Sequence, residues 1–240
     1  LQQEFGSGPE VTKACLTCHT EAAKQLHKTL HWKWEHKSPE GQILGKKHVI
    51  NNYCTSALSN QSNCSTCHIG YGFKDKSFDF TSEVNVDCLI CHDTTGSYRK
   101  QSGLAGNVVT KPMEYPPGSG KMVKPIDLQK IAQAVGMTSR DTCGACHFYG
   151  GGGDGVKHGD MDSSLASPER EVDVHMDSIG LNFACATCHL TRGHQVPGSR
   201  YAPTAQDKGG PHMRGTEYKT SPATCQSCHG QAPHPKNAKL

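Results

Sequence analysis

The sequence predicts a mainly α-helical protein with extensive loops and little or no β-sheet, folded as one domain over residues 1–240. Three observations carry that expectation. Apolar residues make up only 34% of the chain and aromatic residues 6%, with a mean hydropathy of −0.61; an ordinary globular domain carries roughly 45–50% apolar residues. A five-residue Cys/His pattern recurs along the chain, at intervals too irregular for a tandem solenoid. Alternating strand patterns are scarce, whereas several stretches combine helix formers with start and stop signals.

The pattern is C-x-x-C-H, and it occurs six times: Cys15, Cys18 and His19; Cys64, Cys67 and His68; Cys88, Cys91 and His92; Cys143, Cys146 and His147; Cys185, Cys188 and His189; Cys225, Cys228 and His229. Motif starts lie 49, 24, 55, 42 and 40 residues apart. Composition alone would give about 0.04 such matches, and the pattern is the attachment signature of c-type haem. Two cysteines three positions apart on a helical turn reach the two vinyl groups of one porphyrin, and the next residue brings its imidazole to the iron as proximal ligand. A disulfide framework is disfavoured by the odd total of 13 cysteines. Zinc gives no reason for a histidine after every second cysteine. Six haems on 240 residues leave 40 residues for each, so the expected core is a haem stack around which short helices and long loops are wrapped.

Charge and hydropathy exclude other classes. The formal charge of +3 and a pI of 8.2 look mildly basic, but haem propionates reverse that balance, so nucleic acid is not an expected partner. No apolar run approaches the roughly 20 residues of a membrane helix. Covalent haem attachment takes place outside the cytoplasmic membrane, so the expected compartment is periplasmic or extracellular, with the export segment absent from these residues.

Among local elements, residues 19–37 lack Gly and Pro and read as one helix leaving the first motif. In residues 127–136, Asp127 reads as an N-cap, Leu128, Ile131 and Val135 as one apolar face, and Gly136 as the stop. Residues 115–121 and 195–203, rich in Pro and Gly, read as turns.

Six proximal histidines leave nine of 15 as distal candidates: His27, His31, His36, His48, His158, His175, His194, His212 and His234. That supply covers bis-histidine ligation of every haem. His27 and His31, four apart on the expected helix, share a side. Cys54 is the cysteine outside the motifs; it reads either as a small buried hydrophobe or, beside a cation, as a nucleophile and sulfur carrier.

The segment after the fourth motif, Gly150 to Gly155 followed by Lys157 and His158, formally matches a dinucleotide fingerprint. No strand precedes it, and Val156 stands where a phosphate loop needs its lysine, so both nucleotide readings fail. Asp160, Asp162 and Ser164 have a calcium-loop spacing without the remaining ligands, which admits calcium as a minor second cofactor. Glycine also serves where backbone passes a bulky group such as a porphyrin face, and that reading makes Lys157 or His158 an axial ligand.

Long stretches of this chain, "EVTKACLTCHTEAAKQ", "NNYC", "CSTCHIGYGFKD", "VDCLICHDTTGSY" and "CHFYGGGGDGVKHGDMDSSL", resemble the octahaem tetrathionate reductase family of multihaem c-type cytochromes, from about Pro9 onward. The resemblance implies an active site at the second haem, with Lys157 as its distal ligand and Asp154, Asn51 and Cys54 beside it, the other haems acting as relays. It implies reduction of tetrathionate, and of nitrite or hydroxylamine, with electrons from a partner cytochrome or a quinol-linked donor. The family carries eight motifs; the last two are absent here, as in a fragment or a six-haem relative. The competing expectation is a non-catalytic electron conduit that self-associates, for instance as a filament subunit. Hydroxylamine oxidation would call for a tyrosine cross-linked to haem, and no residue marks one.

Overall fold

The computed structural model describes residues 1–38, 40–50, 55–148, 153–196 and 229. Within them the chain is mainly helical, in short pieces. The helices are α1 (Gly8–Leu16), α2 (Ala22–Leu26), α3 (Leu30–Lys33), α4 (Gln61–Cys64), α5 (Leu89–His92), α6 (Leu128–Gln133), α7 (Arg140–His147) and α8 (Cys185–Cys188). Two minimal antiparallel hairpins accompany them: β1 (His36–Lys37) with β2 (Ile43–Leu44), registered His36 to Leu44, and β3 (Met113–Glu114) with β4 (Met122–Val123), registered Met113 to Val123. The Pro/Gly stretch 115–121 closes the second hairpin, as its composition implies. Among the described residues no helix is long and apolar enough to cross a membrane.

Residues 19–37 are not one helix. Thr29 leaves the helical path with extended backbone and caps α3 by accepting the Trp32 amide, and Trp34 at φ 52° ends it in the left-handed region. The break is driven by burial: Trp32 is 1% exposed, and its indole donates to the Phe80 carbonyl at 2.9 Å. A continuous helix would carry that ring elsewhere. His27 and His31 therefore do not share one helical side. His27 caps α2 and stacks on Trp32 at 4.7 Å between centroids, while His31 sits in α3.

The second helix reading holds at its start and fails at its end. Asp127 accepts the Lys130 amide at 2.9 Å, and Leu128 and Ile131 are buried as the pattern requires. Val135 is 48% exposed, because α6 stops at Gln133 and the backbone of Val135 instead bridges to Asp93, just after the third motif. Ala132 takes the buried position. The residue read as a helix stop, Gly136, donates its amide to the His92 carbonyl at 2.9 Å.

A side-chain core gathers around the second motif. Trp32, Trp34, Phe73 and Phe78 join Val11, Val86, Leu89 and Ile131 in one buried cluster, with Phe80 packed against it. The ring of His68 lies inside, 4.9 to 5.5 Å from the rings of Phe73, Trp34, Trp32 and Phe78. Helix α1 is clamped to this core by Thr12, whose hydroxyl donates to the Val86 carbonyl at 2.5 Å. Gly106 adopts φ +81° where a Cβ would come within 2.4 Å of the Gly70 carbonyl oxygen, so the loop after the third motif can cross the second only as glycine.

Candidate haem centres and the second motif

Each described motif uses the same local device. The two cysteines bracket one helical turn and the histidine follows at its end: α5 contains Cys91 and His92, α7 contains Cys143, Cys146 and His147, and α8 runs from Cys185 to Cys188. Motifs far apart in sequence are brought side by side. The Cys67 thiol lies 4.0 Å from the Cys146 carbonyl, which joins the second motif to the fourth, and the Cys88 thiol lies 3.9 Å from the hydroxyl of Thr12 in α1, which joins the third motif to the helix that carries Cys15.

Several imidazoles are presented as a c-type site requires. His92 donates Nδ1–H to the Gly136 carbonyl at 2.8 Å, and His147 donates Nδ1–H to the Gly159 carbonyl at 2.6 Å. A backbone acceptor on Nδ1 fixes the tautomer and leaves Nε2 for metal. His194 donates Nδ1–H likewise, to Gln25 Oε1 at 2.8 Å, and its pKa is held low by burial and then by the neighbouring His92 and His19. Nε2 of His27 is buried and makes no hydrogen bond, an orphan that protein groups do not satisfy. His175 and His229 face each other with their Nε2 atoms 3.4 Å apart and centroids 5.7 Å apart. His31 meets His147 edge-on at 6.2 Å. Since a metal–imidazole bond is about 2.0 Å, two imidazole nitrogens on one metal would stand roughly 4 Å apart, close to the 3.4 Å between the Nε2 atoms of His175 and His229. Donor chemistry, tautomers and the orphaned nitrogen all suit haem iron.

His68 is different. It is fully buried, its Nε2–H donates to the Trp32 carbonyl at 2.6 Å, and its Nδ1 has no partner. Burial, foremost, lowers its pKa to about 3, so the ring is neutral. Ligation through Nε2 requires the contact with Trp32 to open.

The glycine loop behind the fourth motif folds back on it. Gly153, Gly155 and Gly159 take φ of +121°, +69° and +98°, the Gly159 carbonyl meets His147, and the Met161 amide donates to the His147 carbonyl at 2.8 Å. Lys157 lies on this turn, behind the fourth motif, whose Cys146 carbonyl stands 4.0 Å from the Cys67 sulfur. Burial raises the pKa of the Cys64 thiol, and the charges of Lys46 and Lys157 oppose that rise. At Cys67 the hydrogen bond with Cys146, opposed by burial and aided by Lys46, Lys157 and Lys100, brings the pKa to about 6.

Asp154, expected beside Lys157, is exposed and accepts the Ser163 hydroxyl at 2.8 Å. The nearer carboxylate to the Lys157 backbone is Asp160, which accepts its amide at 2.8 Å. Asp162 caps the turn at Ser164, so two of the three residues with calcium-loop spacing serve local backbone. Among the described residues no cluster of three or more Asp, Glu, His or Cys forms a metal cage. His48 accepts an ion-pair role with Glu35 at 2.9 Å, His36 is buried on β1, and His158 is half-buried beside Lys157. Asn51, Cys54, His212, His234, Cys225 and Cys228 lie outside the described residues.

Sequence reading missed four residues at the second and third motifs: Lys100, Asp87, Tyr71 and Tyr98, which form one buried hydrogen-bonded group. Only the position of Asp87, immediately before Cys88, offered a signal.

No family model matches the chain. An uncharacterized protein of Archaeoglobus fulgidus is 25% identical over 230 residues, covering 78% of this chain and 75% of its own. The crystal structure of octaheme cytochrome c from Shewanella oneidensis is similar with a TM-score of 0.74 and 43% identity, over 98% of this chain and 47% of that one. The chain thus spans about half the length of that cytochrome. Motifs, fold and this likeness together define a multihaem c-type cytochrome.

Proposed function

We propose that this chain is a periplasmic multihaem reductase in which the second motif carries the catalytic haem and the remaining haems relay electrons. Cysteine pairs of the six motifs hold haem c, and His19, His68, His92, His147, His189 and His229 are proximal ligands. His31 is assigned opposite His147, His175 opposite His229, and His194 to the region of His92 and His19, from the contacts described above. Haem supplies reversible one-electron storage at each position.

The observation that carries the catalytic reading is the position of Lys46, whose ammonium lies over Trp34 at 5.2 Å from the ring centroid while Trp34 packs edge-on to His68 at 5.0 Å. A cation held on the wall of a haem-attachment motif suits a small sulfur or nitrogen oxyanion. For tetrathionate, two electrons from a partner cytochrome or quinol-linked donor break the central sulfur–sulfur bond and yield two thiosulfates. From the family resemblance, Lys157 is the residue that would ligate the iron of the second haem, and off the metal it would pair with the anion. Asp154, Asn51 and Cys54 complete the assignment from the family resemblance, with Cys54 able to hold a sulfur fragment.

One observation favours the conduit reading. His68 has no exposed face and is walled by aromatic rings on several sides, as befits a relay. The variant Lys157→Ala separates the two. The reductase reading expects loss of tetrathionate turnover with an artificial donor, together with a changed axial-ligand signature at one haem in near-infrared magnetic circular dichroism. Unchanged turnover and an unchanged spectrum would leave the conduit.

A further inference from the structure

A fully buried ion pair lies between the second and third motifs, and the proposed reaction does not use it. Lys100 Nζ stands 2.9 Å from Asp87 Oδ2, with both side chains 0% exposed. The same ammonium donates to the carbonyls of His68 at 2.5 Å and Gly70 at 3.3 Å. Asp87 accepts three further hydrogen bonds, from the hydroxyls of Tyr71 at 2.7 Å and Tyr98 at 2.9 Å and from the Ile90 amide at 3.1 Å. The two phenols are themselves 2.9 Å apart. Burial, with the adjacent carboxylate, raises both their pKa values well above 10.0, so they stay protonated donors.

The pair has a direction. Its positive end is fastened to the backbone of the second motif's histidine. Its negative end belongs to the third motif, since Asp87 directly precedes Cys88 and Ile90 lies between Cys88 and Cys91. A buried ion pair repays its desolvation poorly as a stabiliser, so a retained one calls for another role. Inside a protein such charges act across about 10 Å with little screening. A positive charge favours the reduced state of a nearby redox centre, and a negative charge favours the oxidised state.

We propose that Lys100 and Asp87 form a fixed dipole that raises the reduction potential of the second haem relative to that of the third, which biases electrons from the third motif toward the second. Lys46, held over Trp34 against His68, acts in the same sense on the second motif. The inference rests on haem attachment at both motifs and on neither the lysine ligand nor the substrate.

The test is a spectroelectrochemical titration of the holoprotein and of the double variant Asp87→Asn/Lys100→Gln, which removes both charges and keeps hydrogen-bonding groups in place. One midpoint should fall and another rise, and the distribution of an electron between those two haems should change on the order of tenfold, about 59 mV for a one-electron couple. Midpoints that all stay, or a pair that moves in the same direction, overturn the proposal. Should the double variant not load haem, Tyr98→Phe takes its place. It removes one hydrogen bond from the carboxylate and leaves both charges, so one midpoint should fall and none rise; an unchanged set of midpoints also overturns the dipole. The titration reads every haem whatever its axial ligand. Histidine found opposite His68 therefore defeats the lysine assignment while leaving this result standing, and the reverse holds equally.

Discussion

The backbone of Gly136 grips His92 twice: its amide donates to the His92 carbonyl at 2.9 Å, and its carbonyl accepts Nδ1–H of the imidazole at 2.8 Å. A glycine 44 residues from the histidine thus sets both the position and the tautomer of the imidazole proposed as a proximal ligand. A Cβ at this position would stand 2.7 Å from Thr94 Cγ2, and Thr94 is itself held by its hydroxyl bond to the Ala134 carbonyl. Gly136→Ala should therefore cost about 1–3 kcal/mol, as overpacking does. Chemical denaturation measures the loss, and the ferrous spectrum should show one altered low-spin haem.

His175 and His229 make the clearest ligand pair, with Nε2 atoms 3.4 Å apart. The pair joins a spare histidine to the last motif across 54 residues. His175→Ala should convert a single haem from low-spin to high-spin, read by electron paramagnetic resonance, and leave the other haems unchanged. A variant with no new high-spin signal would remove His175 from the ligand set.

How far the sequence was legible follows from the range of each signal. The motifs and the Asp127 cap were readable because their chemistry is complete within three to five residues. The break at Thr29 and Trp34 was not, because it is imposed by burial of Trp32 against Phe80, 48 residues away. The same holds for Val135, whose backbone partner is Asp93. Lys157 stood out in the sequence because it follows the glycine run behind the fourth motif. Lys100 carried no local mark, as its partners are Asp87 and the carbonyls of His68 and Gly70.

His48 tests the limits of counting histidines as ligands. Its Nε2 lies 2.9 Å from Glu35 Oε2, with Lys47 at 3.5 Å on the same oxygen. The hydrogen bond from His48, opposed by burial and helped by the two positive neighbours, holds the Glu35 pKa below its ordinary 4.5. A depressed carboxyl pKa contributes stability above the unfolded value and loses it as pH falls through the folded value. Because Glu35 is 40% exposed, the contribution at pH 7 should stay under about 1 kcal/mol. Glu35→Gln should be less stable than the parent by that amount at pH 7, with the difference vanishing well below pH 4.5 in denaturant titrations. His48→Ala should leave every haem spectrum unchanged.

Lys46 offers the sharpest test of anion recognition, because it shares the field of Lys157 without being assigned to iron. Its ammonium lies over Trp34, 5.2 Å from the ring centroid, and its charge acts on both Cys64 and Cys67. Trp34 in turn packs edge-on to His68 at 5.0 Å, so the charge is anchored to the wall of the second motif. If that field gathers a dianion, Lys46→Ala should raise KM for tetrathionate about three- to tenfold and leave kcat nearly unchanged, the pattern of lost uniform binding. The effect should shrink as ionic strength rises from 0.01 to 0.15 M, where the screening length contracts from about 30 to 8 Å. A KM that ignores both the substitution and the salt would mean that the lysines beside Cys64 and Cys67 do not recruit substrate, and the second motif would then be one relay among the others.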